Sequence, residues 1–464
     1  MRIPGPGPRD DGGAGAIAEA GGLHLYQRWL HEEFGPVVRF QLPGAGTAVS
    51  VADPVLLEDI AHVDERPAEL FAFLSPLCEA GNLQVIPGAE HEPWRRLLLE
   101  VLAGRPSHQR HFDRFTALAE ELADRWARQG RDGTVALQKD LTSLSLRMIC
   151  AYALGGDFGH EGGSDGSDGS DGNSGSNGVV DADAVVSAFE IVLTEYVGHA
   201  DSAPPRAAEA LAYLRATVDR VVSAHRASGR TDRSDLIGAL VEAGESPARI
   251  RDTVMVTMLA AHHTTGVAVS WALHLLGQHP DVAARVTDEL DRVLGERTAP
   301  DYADLRRLPY LDRVLKETMR IYPPGPYGAR ETTEAMTLGA YEIPAGTALF
   351  LPFWAVHMNP EHWPEPERFD PERFAPDAAA KRPRLAHIPF GFGPRSCEGA
   401  QLATVEALLV LAVLLKRLRF SPVPGHAVTP VERFVLWAAD DILMEVAERD
   451  ADGRGVGGGS VSPA

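Results

Sequence analysis

Cysteine is scarce in this chain. Only Cys78, Cys150 and Cys397 occur among 464 residues, widely spaced and without a C-x-x-C pair. That argues against a disulfide scaffold and against a structural zinc site. Long apolar runs are missing too: no stretch approaches the roughly 18 uncharged apolar residues that a bilayer span requires, so no membrane span is expected. The opening MRIPGPGPRDDGGAGAIAEAGG has neither the basic n-region nor the apolar core of a signal peptide, and the expectation is a cytoplasmic protein. Basic charge is in deficit as well. With 44 Lys and Arg against 65 Asp and Glu, the formal net charge is −21, which argues against nucleic acid as a partner, because phosphate binding needs a basic surface. The acid excess favours solubility.

What is present is a globular composition, 44% apolar and 23% charged, enough for a large core. The length allows one large domain or two or three ordinary ones. Residues 1–22 and 450–464 read as flexible termini. Residues 161–178, EGGSDGSDGSDGNSGSNG, form a Gly/Ser/Asp run that cannot bury apolar area. That run could be an interdomain linker. It reads better as a disordered loop insertion within a single catalytic unit, 23–449, because the chemistry argued below needs residues from both sides of it.

The remainder is mainly helical. Residues 34–53 suggest a short hairpin, two β-rich runs around a Pro/Gly turn. Helical spacing appears at 112–126, 137–154, 182–197 and 207–227. Ser246-Pro247 then supplies an N-cap and a first-turn proline for some 30 residues without proline, apolar on nearly every face at the middle. Such a helix should cross the interior. Further helices are expected at 280–294, 309–322 and 399–418, with β-rich pieces near 336–343 and 348–350. The fold class is mainly α with a small β-rich lobe.

The decisive segment is PFGFGPRSCEGAQLATVEALLVLAVLL. Gly391, Gly393 and Gly399 surround Cys397, Pro394 stiffens the approach, and an apolar helix of about five turns follows. A cysteine at a helix N-terminus is stabilised as thiolate by the helix dipole and free N–H groups. Left to itself, the segment could also be a glycine-rich turn before a helix, or a reactive free thiol. It matches FGxGxRxCxG at Phe390, Gly391, Gly393, Arg395, Cys397 and Gly399, and so resembles the haem-binding motif of the cytochrome P450 family. The resemblance implies haem b (iron protoporphyrin IX) with Cys397 as proximal ligand, the thiolate pushing electron density toward O–O cleavage. Glu398 stands where the family usually carries an apolar residue.

Other motifs fall in the family's order. Glu317 and Arg320 in KETMR share a helix face. With Arg373 of PERF, the resemblance makes them a buried, architectural charge network. Glu-x-x-Arg also occurs at Glu92/Arg95, Glu289/Arg292 and Glu365/Arg368, read as solvated pairs or incidental spacings. For the haem propionates the family pattern suggests His91, Arg95, Arg330 and Arg395, arginine's fork suiting a carboxylate; His91 and Arg95 could equally lie on an exposed helix face. LAAHHTTG in the long helix resembles AGx(D/E)TT, aligning Ala260, Ala261, Thr264 and Thr265. The small residues would leave room for dioxygen, and Thr264 would hold water for proton delivery. His263 takes the usual acid's place and can relay protons near neutral pH, as in the similar His-Thr of sterol demethylase members. Threonine within a helix also often bonds back to a carbonyl one turn earlier. HHTT lacks the HExxH zinc spacing.

The resemblance runs from about Gly22 to about Ala447. It implies a haem-thiolate monooxygenase that inserts one oxygen atom of O2 into an apolar small molecule, by hydroxylation or epoxidation. NAD(P)H electrons would arrive through a separate ferredoxin and ferredoxin reductase, and the protein would be monomeric. Arg95, Arg96, Lys381, Arg382 and Arg384 could form the docking patch. The composition fits a high-GC bacterium, with secondary metabolism and a terpenoid or polyketide substrate as the expectation. The alternatives are a haem-thiolate catalyst of coupling, rearrangement or dehydration, and a haem protein without turnover.

Overall fold

The computed structural model describes residues 2–81, 83–129, 133–154, 182–195, 204–229, 236–433 and 435–449. The expected insertion at 161–178 and the tail at 450–464 lie outside the described residues. Helices dominate: α1 (Ala14–Ala20), α2 (Leu23–Phe34), α3 (Pro54–Asp59), α4 (Gly88–Leu102), α5 (Arg105–Gln129), α6 (Leu137–Leu154), α7 (Ala182–Glu195), α8 (Pro205–Ser228), α9 (Leu236–Glu242), α10 (Pro247–Gln278), α11 (Pro280–Leu294), α12 (Pro309–Ile321), α13 (Phe353–His357), α14 (Pro376–Ala379) and α15 (Ala400–Arg417). The strands are short: β1 (Val37–Leu42), β2 (Gly46–Val51), β3 (Thr134–Ala136), β4 (Gly328–Glu331), β5 (Met336–Leu338), β6 (Tyr341–Ile343), β7 (Ala348–Leu351), β8 (Leu418–Pro422), β9 (Pro430–Arg433), β10 (Val435–Ala438) and β11 (Leu443–Glu448).

The largest sheet runs β1-β2-β7-β4. Its hairpin β1/β2 is the one expected from 34–53, and β7 joins β2 in parallel. The expectation of a mainly α protein with a small β lobe is met.

Helix α10 crosses the interior. Ser246 caps it by accepting from Arg249 N at 3.2 Å, and Pro247 opens its first turn. Helices α6 and α10 press together at Gly266, where a Cβ would come within 2.6 Å of the Leu141 carbonyl oxygen. Beside that contact the Ser145 hydroxyl donates to Ala261 O at 2.8 Å. Helix α10 also meets α15, the helix that follows Cys397.

Two expectations need correction. Residues 2–22 are not unstructured throughout: Arg39 N donates to Pro4 O at 2.8 Å, and α1 ends in a left-handed Gly21 whose N–H reaches Ala18 O. Its small apolar side chains pack against the β1/β2 edge, a burial too modest to stand out in a Gly/Pro-rich stretch. Glu289 is not a solvated partner of Arg292. It is 4% exposed and accepts from Tyr310 N and Leu311 N, satisfying the otherwise unpaired donors at the start of α12. Glu92 pairs with Arg96 rather than Arg95, and Glu365/Arg368 is an exposed pair.

The expected buried charge network is present. Arg320 grips Glu317 with two bonds, at 2.7 and 2.8 Å, and both side chains are fully buried. Arg320 also donates to His357 O and Pro366 O, while Arg373 approaches Glu317 at 3.3 Å. It ties α12 to the PERF turn.

Candidate haem-thiolate site

The cysteine loop is built by its glycines and its backbone bonds. Gly391 and Gly393 have φ of 67° and 69°, and a Cβ on Gly393 would lie 2.2 Å from Ala61 O. Only glycine fits there. Cys397 N donates to Phe390 O at 2.8 Å, closing the loop, and Gly399 caps α15. Arg395 anchors the loop across the molecule, donating to the carbonyls of Asp64, Leu83 and Ile86 at 2.7–2.9 Å.

Behind the loop lies a cavity of about 390 Å³. It brings together Cys397, Phe390, Gly391, Gly399, Arg395, Arg330, Ala260, Ala261, Thr264 and Thr265, all anticipated from sequence. His91, Arg95, Gly393 and His263 are not among the residues that line it. Apolar groups such as Phe71, Leu83, Val256 and Val435 form much of the remaining wall.

Cys397 is accessible although crowded by protein, because it lines this cavity. Burial, then the Glu398 carboxylate, pushes its thiol up to about 12; the Gly399 N–H, Arg95 and Arg66 pull the other way. Burial and Glu398 thus oppose the thiolate that the helix end favours, while the Gly399 N–H, Arg95 and Arg66 support it.

Three guanidiniums, those of Arg66, Arg330 and Arg395, line the cavity close together. Arg66, which sequence reasoning missed, lies 4.7 Å from the Phe71 ring centroid and donates to Gln84 O at 3.1 Å. Burial and Arg395 depress it to about 10. Arg330 is depressed to about 9, by burial first and then by Arg66 and Arg395. Arg395 pairs with Asp64, and Arg95 with Glu398. His91 is buried with Nδ1 at 3.1 Å from Asp64; burial and Arg395 lower it to about 4. Arg66 Nε and His91 Nε2 have no hydrogen-bond partner among the described residues. Guanidiniums that destabilise one another, with donors left over, call for additional anionic groups. The two propionates of haem b fit that need, as the open face of Cys397 fits its iron.

On the α10 wall, the Thr264 hydroxyl donates to Ala260 O at 2.9 Å, the helix-internal bond weighed above. Its oxygen lone pairs remain able to accept from the cavity. His263 instead packs on His262 (centroids 4.0 Å apart) and edge-on to Trp437 at 5.2 Å, and burial lowers it to about 4. A second residue escaped the sequence reading. Glu406 of α15 is buried, lines the cavity and leaves Oε1 without a hydrogen-bond partner among the described residues. Burial pushes its carboxyl up to about 8, with the neighbouring Thr265 hydroxyl pulling it down. The available signal was a lone carboxylate in the apolar run ALLVLAVLL and its preceding turn.

Of the cations expected at a docking surface, Arg95 is largely enclosed and Arg382 lies over Trp363 at 4.2 Å. Arg96 and Arg384 face outward beside Glu92 and Glu58. Among the described residues no helix is long and apolar enough to cross a membrane.

Comparison with known proteins gives one consistent picture. A family model described as Cytochrome P450 matches residues 13–446. Cyclooctatin synthase of Streptomyces melanosporofaciens is 38% identical over 237 residues, 50% of this chain and 51% of that protein. Cyclooctat-9-en-7-ol 5-monooxygenase of the same organism is 39% identical over 221 residues, 46% of this chain and 48% of that one. The chain thus spans about half the length of these curated relatives. The crystal structure of the cytochrome P450DA heme domain superposes with a TM-score of 0.83 at 23% identity, covering 97% of this chain and 99% of that one, a likeness of fold.

Proposed function

Given that the chain belongs to the cytochrome P450 family, we propose that it is a haem-thiolate monooxygenase acting on an apolar terpenoid-like substrate. The observation that carries this reading is one cavity with Cys397 on one wall and Thr264 on the facing helix. Bound haem would supply dioxygen activation and the oxidising power. Cys397 would hold the iron, with Arg330, Arg395 and Arg66 taking the propionates.

The chain's own residues supply position and protons. Ala260 and Ala261 keep the α10 wall low at the cavity. Thr264 Oγ1, its proton committed to Ala260 O, is left to accept a hydrogen bond from water or a substrate hydroxyl. Glu406, protonated over much of the neutral range, holds a proton beside Thr265. Glu406 is buried away from bulk water, which raises the value of each bond it makes. His263 has no position on the cavity wall and packs instead on His262 and Trp437. The lining gives an apolar ligand few polar anchors, and the Streptomyces relatives, one named as a monooxygenase of an alkenol, support a terpenoid hydroxylation. Electrons would come from NAD(P)H through a ferredoxin and its reductase.

Reconstitution with a ferredoxin, a ferredoxin reductase, NADPH and ¹⁸O₂ tests the reaction class on a panel of cyclic terpenoid alcohols. One ¹⁸O atom per product supports monooxygenation. Product with no ¹⁸O would favour rearrangement or dehydration.

A further inference from the structure

Arg95 sits where the family pattern suggests a propionate partner, yet its guanidinium is already engaged. Nη1 donates to Ser396 O at 2.6 Å and Nη2 to Ser396 Oγ at 2.9 Å. Nη1 also pairs with the Glu398 carboxylate. The guanidinium therefore grips the loop on both sides of Cys397. The two side chains are only 14% and 12% exposed, so solvent screens the pair weakly. Glu398 lines the cavity and Arg95 does not, whereas Arg66, Arg330 and Arg395 all do.

The geometry points to Glu398 as a tuning residue: its carboxylate, paired with Arg95, lowers the reduction potential of the iron held by Cys397. This rests on Cys397 as the iron ligand. Reduction adds one negative charge to the iron centre. The Glu398 carboxylate, on the residue next to the ligand and paired with Arg95, would oppose that charge where solvent screens weakly. Arg95, reaching the loop from α4, offsets part of the field. A purely mechanical clamp between α4 and the loop would change stability but leave the potential alone.

The experiment is a redox titration of the haem-loaded protein, comparing wild type with E398Q, E398D, R95Q and R95Q/E398Q. E398Q should move the potential positive by about 59 mV, a tenfold change for one electron. E398D, which keeps the charge, should stay near wild type. R95Q should move negative, and the double variant should return toward wild type. An unchanged potential in E398Q, with the red-shifted ferrous–CO band intact, overturns the inference, as does an equal rise in E398D. Should E398Q fail to retain haem, R95Q against R95Q/E398Q decides: a double variant no more positive than R95Q overturns it. A wild type without the red-shifted CO band overturns the ligand assignment, and this inference with it.

Discussion

Thr264 and Glu406 differ in how they could be found. Thr264 sits in a contiguous motif, AAHHTT, and its role can be weighed from neighbours alone. Glu406 is nine residues past Cys397, and what makes it chemical is tertiary: α10 lays Thr265 beside it, and burial lifts its carboxyl to about 8. The cysteine loop was legible because six fixed positions fall within ten residues. Arg66 was not, since it comes from an irregular segment, 61–67, whose path no periodicity reveals. For T264A, loss of one hydrogen bond of about 1.5 kcal/mol should lower product per NADPH consumed about tenfold. NADPH oxidation should continue as electrons are lost to other products. Coupling equal to wild type would remove Thr264 from proton delivery.

Among the elements, the long helices were readable and the small strands less so. The span of α6 follows directly from apolar spacing at 137–154, and α10 from its cap and missing prolines. Strands β3, β4 and β8 to β11 were missed, because strands this short owe their position to tertiary packing rather than to their own pattern. The join between α12 and the PERF turn is the element contact with the most at stake. Desolvation raises Glu317 against the pull of Arg320 and Arg373. Removing the carboxylate would strand a fully buried guanidinium. E317Q should therefore destabilise the protein by about 3–5 kcal/mol, read as a lower chemical-denaturation midpoint and reduced haem retention. A midpoint like wild type would mean that the Arg320 carbonyl bonds suffice.

At the scale of the whole molecule, several histidines are buried in neutral form. Burial lowers His111 and His274 to about 4 and His387 to about 3, while the unfolded chain titrates near 6.5. Their folded values lie below the unfolded one, so their contribution is complete above about pH 6.5. It is lost as acid protonates the unfolded state first. The melting temperature should fall from pH 6.5 to 5, above the main carboxylate range, and H111Q/H274Q should flatten that slope. A slope unchanged in the variant would place the acid sensitivity elsewhere.

The account as a whole depends on Cys397 binding haem iron as thiolate. The direct measurement is the absorbance of the dithionite-reduced, CO-bound protein for wild type and C397A. A Soret band far to the red of ordinary haem proteins, lost in C397A, is the predicted result. An ordinary haem–CO band in wild type would contradict it.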